Sequence, residues 1–262
     1  MPGVRLGKAL PIDLDIDLGI DLCRQVGSTV QTPSDLIATA NRCSWFRADT
    51  GVTSASSRVS AWADQWSNGN FAQATGAQQP LLELTGIAGL PTVSNDDGGR
   101  DMFVNPFTSG IAIGSRPYMW LFVKADTVAS KTALAISQNS GNGTPRMSIS
   151  SNGTEWQFSA NDRVTQSSIT PIAADTTARL LEVGMTTGGA NSGVVSGTGY
   201  SGTALAPTSV ATIQTMHLFG FNGLSTNGLV CKVAEIVISR NEPSLETRQL
   251  MRLYFANRYG SI

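Results

Sequence analysis

Between Leu81 and Ile238 the chain alternates short apolar runs with Gly-, Asn- and Asp-rich punctuation, and this rhythm limits the fold more than any other feature. Candidate strands are Leu81–Leu84, Asp101–Val104, Tyr118–Lys124, Thr132–Ser137, Arg146–Ser150, Glu155–Ala160, Arg179–Met185, Met216–Phe221 and Val230–Ser239. Between them stand Gly86 and Gly89, Asp97-Gly98-Gly99, Gly141-Asn142-Gly143, Asn152-Gly153 and Gly188-Gly189. Asn-Gly tolerates the left-handed backbone of a tight hairpin turn, so MSISS-Asn152-Gly153-T-EWQFSA predicts two paired strands. Many short strands with such turns predict an all-β fold, an antiparallel β-sandwich or jelly roll. The length, 262 residues, allows one such domain to bury a core without staples. Charged residues are only 14%, and Ser, Thr, Gly and Asn fill the polar positions, as suits a protein of many turns.

The two ends depart from this rhythm. Pro243-Ser244-Leu245-Glu246 supplies a stop, a cap and an acidic first turn, and Gly260 a terminator, so a C-terminal helix is predicted with Leu250, Leu253 and Tyr254 as its apolar stripe. Thr32-Pro33-Ser34-Asp35 reads as the start of a short helix. Upstream, Ile12, Leu14, Ile16, Leu18, Ile20 and Leu22 alternate with aspartates, giving an extended segment with one aliphatic and one acidic face. Two arrangements satisfy that pattern: a strand over the domain's own core, or an assembly arm that docks on another subunit. The organisation read from these features is an N-terminal extension over 1–42 and a sandwich domain over 43–262. Within it, Cys43–Asp49 reads as the first core strand and Thr50–Ser57 as a polar loop.

A formal net charge of −1 provides no field to attract nucleic acid or an anionic membrane. No apolar run is long enough to span a bilayer, and the first residues lack the pattern of a secretory leader, so a soluble, unexported protein is expected. Cys23, Cys43 and Cys231 are odd in number and show no CxxC spacing. Buried free thiols are expected, with a Cys23–Cys43 bridge as the alternative.

Four places carry a family resemblance. Trp45-Phe46-Arg47-Ala48-Asp49 is similar to an opening strand, and Val59-Ser60-Ala61-Trp62-Ala63-Asp64 followed by Asn68-Gly69-Asn70 to a Trp-x-Asp and Gly-Asn turn. Gln73-Ala74-Thr75 through Gln79-Pro80 follows that turn, and Ala234-Glu235-Ile236-Val237-Ile238 with Leu245 to Gly260 is similar to a closing strand and helix. In these the chain resembles the concanavalin A-like, laminin-G-like lectin/glucanase jelly rolls, especially those of bacteriophage virion and tail proteins. It departs from them at Trp66-Ser67, where the family has Ser-Gly, and at Asn95–Gly99, where it has Phe-Asp-Gly. The resemblance implies a non-enzymatic virion structural protein of a tailed phage, a head decoration or tail surface component made in the host cytoplasm. Its partners would be capsid or tail subunits and copies of itself. The alternative is a carbohydrate-binding, receptor-binding module acting on a cell-surface glycan.

The residues bear on these expectations as follows. Glycoside hydrolysis needs two carboxylates about 5–9 Å apart across a cleft. No Glu-x-Asp-x-Glu string supplies them, and Glu155, Glu182 and Glu235 stand isolated, so no catalytic residue is assigned. His217 is alone in a strand, and no Gly-x-Ser-x-Gly elbow is present. Gly197–Gly202 matches GxGxxG formally but lies in Gly/Ser/Pro-rich sequence and reads as a loop rather than a nucleotide site. Asn95, Asp96, Asp97 and Asp101 offer hard oxygens suited to calcium, though turn formation explains the same residues; no other cofactor is indicated. Sugars stack on aromatic rings and hydrogen-bond to amides, which makes Trp62, Trp66, Asn68, Asn70 and Trp156 the carbohydrate-binding candidates. Packing in the sandwich core explains most of these rings equally well. Trp66 is singled out because it replaces a small turn residue.

Overall fold

The computed structural model describes residues 31–97, 99–104, 107–112, 116–137, 146–161, 166–169, 174–185, 190–195, 198–204, 212–220 and 228–260. The alternating segment from Ile12 to Leu22, and Cys23, lie outside them.

Among the described residues, seventeen strands form one continuous hydrogen-bonded array, folded over into two layers. The first layer runs Thr198–Ala204, Ala190–Val195, Ala178–Met185, Tyr118–Ala125 and Cys231–Ser239. Beyond Cys231–Ser239 its far edge divides: Arg42–Arg47 pairs with one half of that strand and Leu90–Asn95 with the other, and Leu81–Ile87 pairs with Leu90–Asn95 and reaches Arg58–Trp62 of the second layer. The second layer runs Gln166–Ile169, Trp156–Asn161, Arg146–Asn152, Ser130–Ser137, Thr215–Leu218, Met102–Val104, Phe71–Ala72, Arg58–Trp62 and Val52–Ala55. Every pairing between these strands is antiparallel. The architecture is the expected all-β jelly-roll sandwich with a C-terminal helix.

Side-chain alternation explains the layering. Along Tyr118–Ala125, Met119, Leu121 and Val123 point into the core between the layers, where they meet Phe46, Leu134, Ile136, Ile149, Phe158 and Ile236. Tyr118, Trp120 and Phe122 point the other way, beneath the helix Leu245–Tyr259. A strand covered on both faces reads as the unbroken apolar run YMWLFV. The helix begins as expected, with the Ser244 hydroxyl accepting the Thr247 N–H at 3.1 Å, and ends at Gly260, φ +88°. Its buried stripe is Met251, Tyr254, Phe255 and Tyr259, whereas the predicted Leu250 and Leu253 are only half-buried. Tyr259 stacks on Phe122 at 4.3 Å between ring centroids.

Two loop readings are corrected. The stretch Thr50–Ser57 contains the strand Val52–Ala55, which pairs with Arg58–Trp62 through a turn at Ser56 and Ser57, both at positive φ. The glycine-rich 198–204 is a strand held by the ladder to Ala190–Val195. Cys43 and Cys231 are buried free thiols, and burial pushes Cys43 up to about 11. Residues 31–42 form the short helix Pro33–Leu36, closed by reciprocal bonds between Thr32 and Asp35, and Ile37 joins the apolar cluster under the terminal helix.

Candidate functional site

The Trp-x-Asp and Gly-Asn sequence builds the site. After Trp62 the chain leaves its strand and turns around the buried carboxylate of Asp64. One oxygen of Asp64 accepts the Trp45 and Trp66 amides at 2.8 and 2.9 Å, and the other accepts the Asn68 amide at 2.9 Å. Burial raises the Asp64 pKa, with the three amide bonds opposing it. Asn68 then fastens the turn to the neighbouring loop. Its side-chain oxygen accepts the Ser109 N–H at 2.7 Å and its amide nitrogen donates to the Ser109 carbonyl at 3.1 Å. Asn70 accepts the Asp64 N–H at 3.0 Å and locks the turn from behind. Ser67, at the tip, has φ +58°, a left-handed backbone that costs a non-glycine residue strain.

This turn faces the start of the strand Arg42–Arg47 and the chain just after Ser239, leaving an open depression of about 340 Å³. It is lined by Thr39, Arg42, Gln65, Trp66, Ser67, Asn68 and Arg240. The Trp66 indole donates to the Ser34 hydroxyl at 2.9 Å and lies against Trp45, with ring centroids 5.9 Å apart. The Arg42 guanidinium sits 5.8 Å over the Trp66 ring. Arg42 donates to the carbonyls of Ile37, at 3.0 Å, and Ser34, and Arg240 donates to those of Arg42, Gly110 and Ser109. Trp66, Asn68, Arg42 and Arg240 are therefore held in place by the protein's own hydrogen bonds.

Of the five expected carbohydrate-binding residues, Trp66 and Asn68 come together here. Asn68 is almost fully buried with its amide committed, which leaves Trp66 as the ring at the surface. Trp62 and Trp156 are fully buried and present no face to a sugar. Trp62 packs on Phe46 and Phe71 and donates to the Arg47 carbonyl at 2.9 Å. Arg42, Arg240, Thr39 and Gln65 were not foreseen.

The calcium candidates are occupied otherwise. Arg100 ion-pairs with Asp96 and Asp97, each at 3.0 Å. The Asn95 side chain bridges the Leu229 carbonyl and the Arg100 N–H, and Asp101 accepts from Gln73 at 2.6 Å. Among the described residues no group of three or more His, Cys, Asp or Glu stands close enough to hold a metal ion.

The isolated acids also have structural partners. Glu235, fully buried, accepts from Trp45, Tyr254 and Tyr259 at 2.7–2.8 Å and pairs with Arg258 at 3.3 Å. Burial raises its pKa, against the pull of those donors. Glu182, equally buried, accepts from Tyr118 at 2.8 Å and Arg252 at 2.6 Å. Glu182 and Glu235 oppose Trp120 and Phe122 from either side of Tyr118–Ala125. Two strand spacings and two residues of offset place their α-carbons about 11–12 Å apart. Both fasten the terminal helix to the sheet.

No protein-family model matches the chain, and no curated protein matches it in sequence. Solved structures do. The botulinum neurotoxin serotype D binding domain superposes with a TM-score of 0.61 at 12% identity, covering 85% of this chain and 54% of that one. The fold is a concanavalin A-like, lectin-type jelly roll. The binding domain of Paraclostridial Mosquitocidal Protein 1 superposes with a TM-score of 0.58 at 10% identity, covering 85% of this chain and 56% of that one. Trypanosoma rangeli sialidase in complex with sialic acid superposes with a TM-score of 0.58 at 12% identity, covering 88% of this chain and 34% of that one. The chain thus spans about half the length of the toxin domains and a third of the sialidase.

These likenesses correct two expectations. A phage virion structural protein is not what the fold resembles: toxin binding domains and sialidases stand where head or tail proteins were expected, and capsid or tail partners and self-association gain no support. The expectation of a non-enzymatic chain is also overturned, because the same fold occurs within sialidase chains.

Proposed function

We propose that this domain binds carbohydrate in the depression between the Gln65–Asn68 turn and Arg42. The observation that carries the proposal is Trp66, a half-buried indole set in a polar, pre-formed hollow. Apolar sugar faces pack on such rings, while Thr39, Ser67 and Gln65 offer groups for hydroxyls. The likeness to toxin binding domains, one of them solved in complex with N-acetylneuraminic acid, supports the same reading. A broad glycan array probed with wild type and Trp66→Ala tests it. Wild-type binding that falls at least tenfold in the variant is expected, with thermal melting confirming that the variant folds. An array on which wild type binds no glycan would overturn the proposal.

A further inference from the structure

We infer that the depression takes a sugar bearing a carboxylate, with Arg42 as the group that receives it. This rests on the reading of the depression as a carbohydrate site, and adds the ligand's charge.

A guanidinium has five N–H donors. Arg42 donates its Nε–H to the Ile37 carbonyl and one Nη2–H to the Ser34 carbonyl. The remaining donors, those of Nη1 among them, have no acceptor among the described residues, and Arg42 makes no ion pair with any of them. A guanidinium held by neutral carbonyls is positioned but not neutralised. Arg47, Arg100, Arg179, Arg248, Arg252 and Arg258 each pair with a carboxylate, whereas Arg42, like Arg58, is held on backbone carbonyls.

The neighbouring acids are turned elsewhere. Asp35, which feels the charge of Arg42, directs Oδ2 to the Thr32 amide and hydroxyl at 2.8 and 2.7 Å. Asp64, beneath the turn, has both oxygens on backbone amides. Arg240 adds a second guanidinium to the wall, fixed on three carbonyls. The lining is therefore two cations, an indole, two amides and two hydroxyls, with no acid among its residues. Fork-to-carboxylate pairing is the strongest hydrogen bonding open to such a group, and the Trp66 face beneath Arg42 keeps the fork in its plane.

Binding to wild type is measured by calorimetry for oligosaccharides ending in sialic acid, in glucuronate, in the methyl ester of each, and in galactose. The free acids are expected to bind about ten- to hundredfold more tightly than their esters, and less tightly as salt rises. Sialic acid alone binding, or both acids binding, supports the inference and separates the two sources of the carboxylate. Arg42→Gln should erase the difference between acid and ester, and Arg42→Lys should restore part of it. Esters and neutral sugars binding as tightly as the acids would overturn this inference while leaving the carbohydrate site standing. No binding by any of the five would overturn this inference, and the broad array then decides the carbohydrate site. The ester comparison uses the unaltered protein, so it holds even where an Arg42 variant disturbs the Pro33–Leu36 helix.

Discussion

Replacing Asp64 by alanine removes the acceptor for three backbone amides at once, those of Trp45, Trp66 and Asn68. A buried N–H left without a partner costs about 1–3 kcal/mol. The low end applies, because the depression admits water to the turn, so the expected loss is about 3 kcal/mol. For a chain of this size that lowers the melting temperature by roughly 6–12 °C. Asp64→Asn should cost less, about 1–2 kcal/mol, since its oxygen still serves Trp45 and Trp66 and only the Asn68 amide meets a donor. The pH dependence gives a second reading. Burial raises the Asp64 pKa, so the folded protein holds this proton more tightly than the unfolded chain. Its contribution is full below the unfolded value of about 3.9 and is lost as pH rises through the folded one. The stability gap between wild type and Asp64→Asn should therefore narrow between pH 4 and pH 7. Urea unfolding of the three proteins at both pH values measures this. A loss under about 1 kcal/mol for the alanine variant, or a gap that widens with pH, would refute the role given to Asp64.

Two further outcomes test the core. Glu235→Ala strands the Trp45, Tyr254 and Tyr259 donors and should cost about 3 kcal/mol in urea unfolding, whereas Glu155→Ala, at an exposed turn, should cost under about 0.5 kcal/mol. Gly184→Ala would set a Cβ 2.3 Å from the Tyr118 ring, which must move off Glu182, so a loss of about 1–3 kcal/mol and weaker docking of the terminal helix are expected by hydrogen exchange.

Features that depend on near neighbours in sequence were legible. Asn152-Gly153 forms its turn, with the Asn152 side chain accepting the Thr154 and Glu155 amides, between the strands Arg146–Asn152 and Trp156–Asn161. The Ser244 cap and Gly260 terminator bound the helix as read. What stayed hidden depends on distant partners. Ser56-Ser57 occupies positions that hairpins usually give to Asn-Gly, so the strands on either side read as a loop. Thr198–Ala204 has no apolar run and is ordered by its neighbour's backbone. Of the predicted helix stripe Tyr254 is buried, but Leu250 and Leu253 give way to Met251, Phe255 and Tyr259, and the Tyr254 and Tyr259 hydroxyls reach Glu235, a partner no helical period reveals. At the site, Trp66 was visible as a large residue in a small residue's place. Arg42 and Arg240 were not, being 198 positions apart and brought together only because Arg42 pairs with Ser239.

The strand Cys231–Ser239 is the latest in the described chain, yet it lies inside its layer, with Tyr118–Ala125 on one flank and Arg42–Arg47 and Leu90–Asn95 on the other. During synthesis the earlier strands must wait, their inner hydrogen-bonding edges open, until residue 239 has emerged to fill the gap. Closure spanning nearly two hundred residues makes folding slow, and the unfilled slot is where a second nascent chain could insert its own copy of the missing strand.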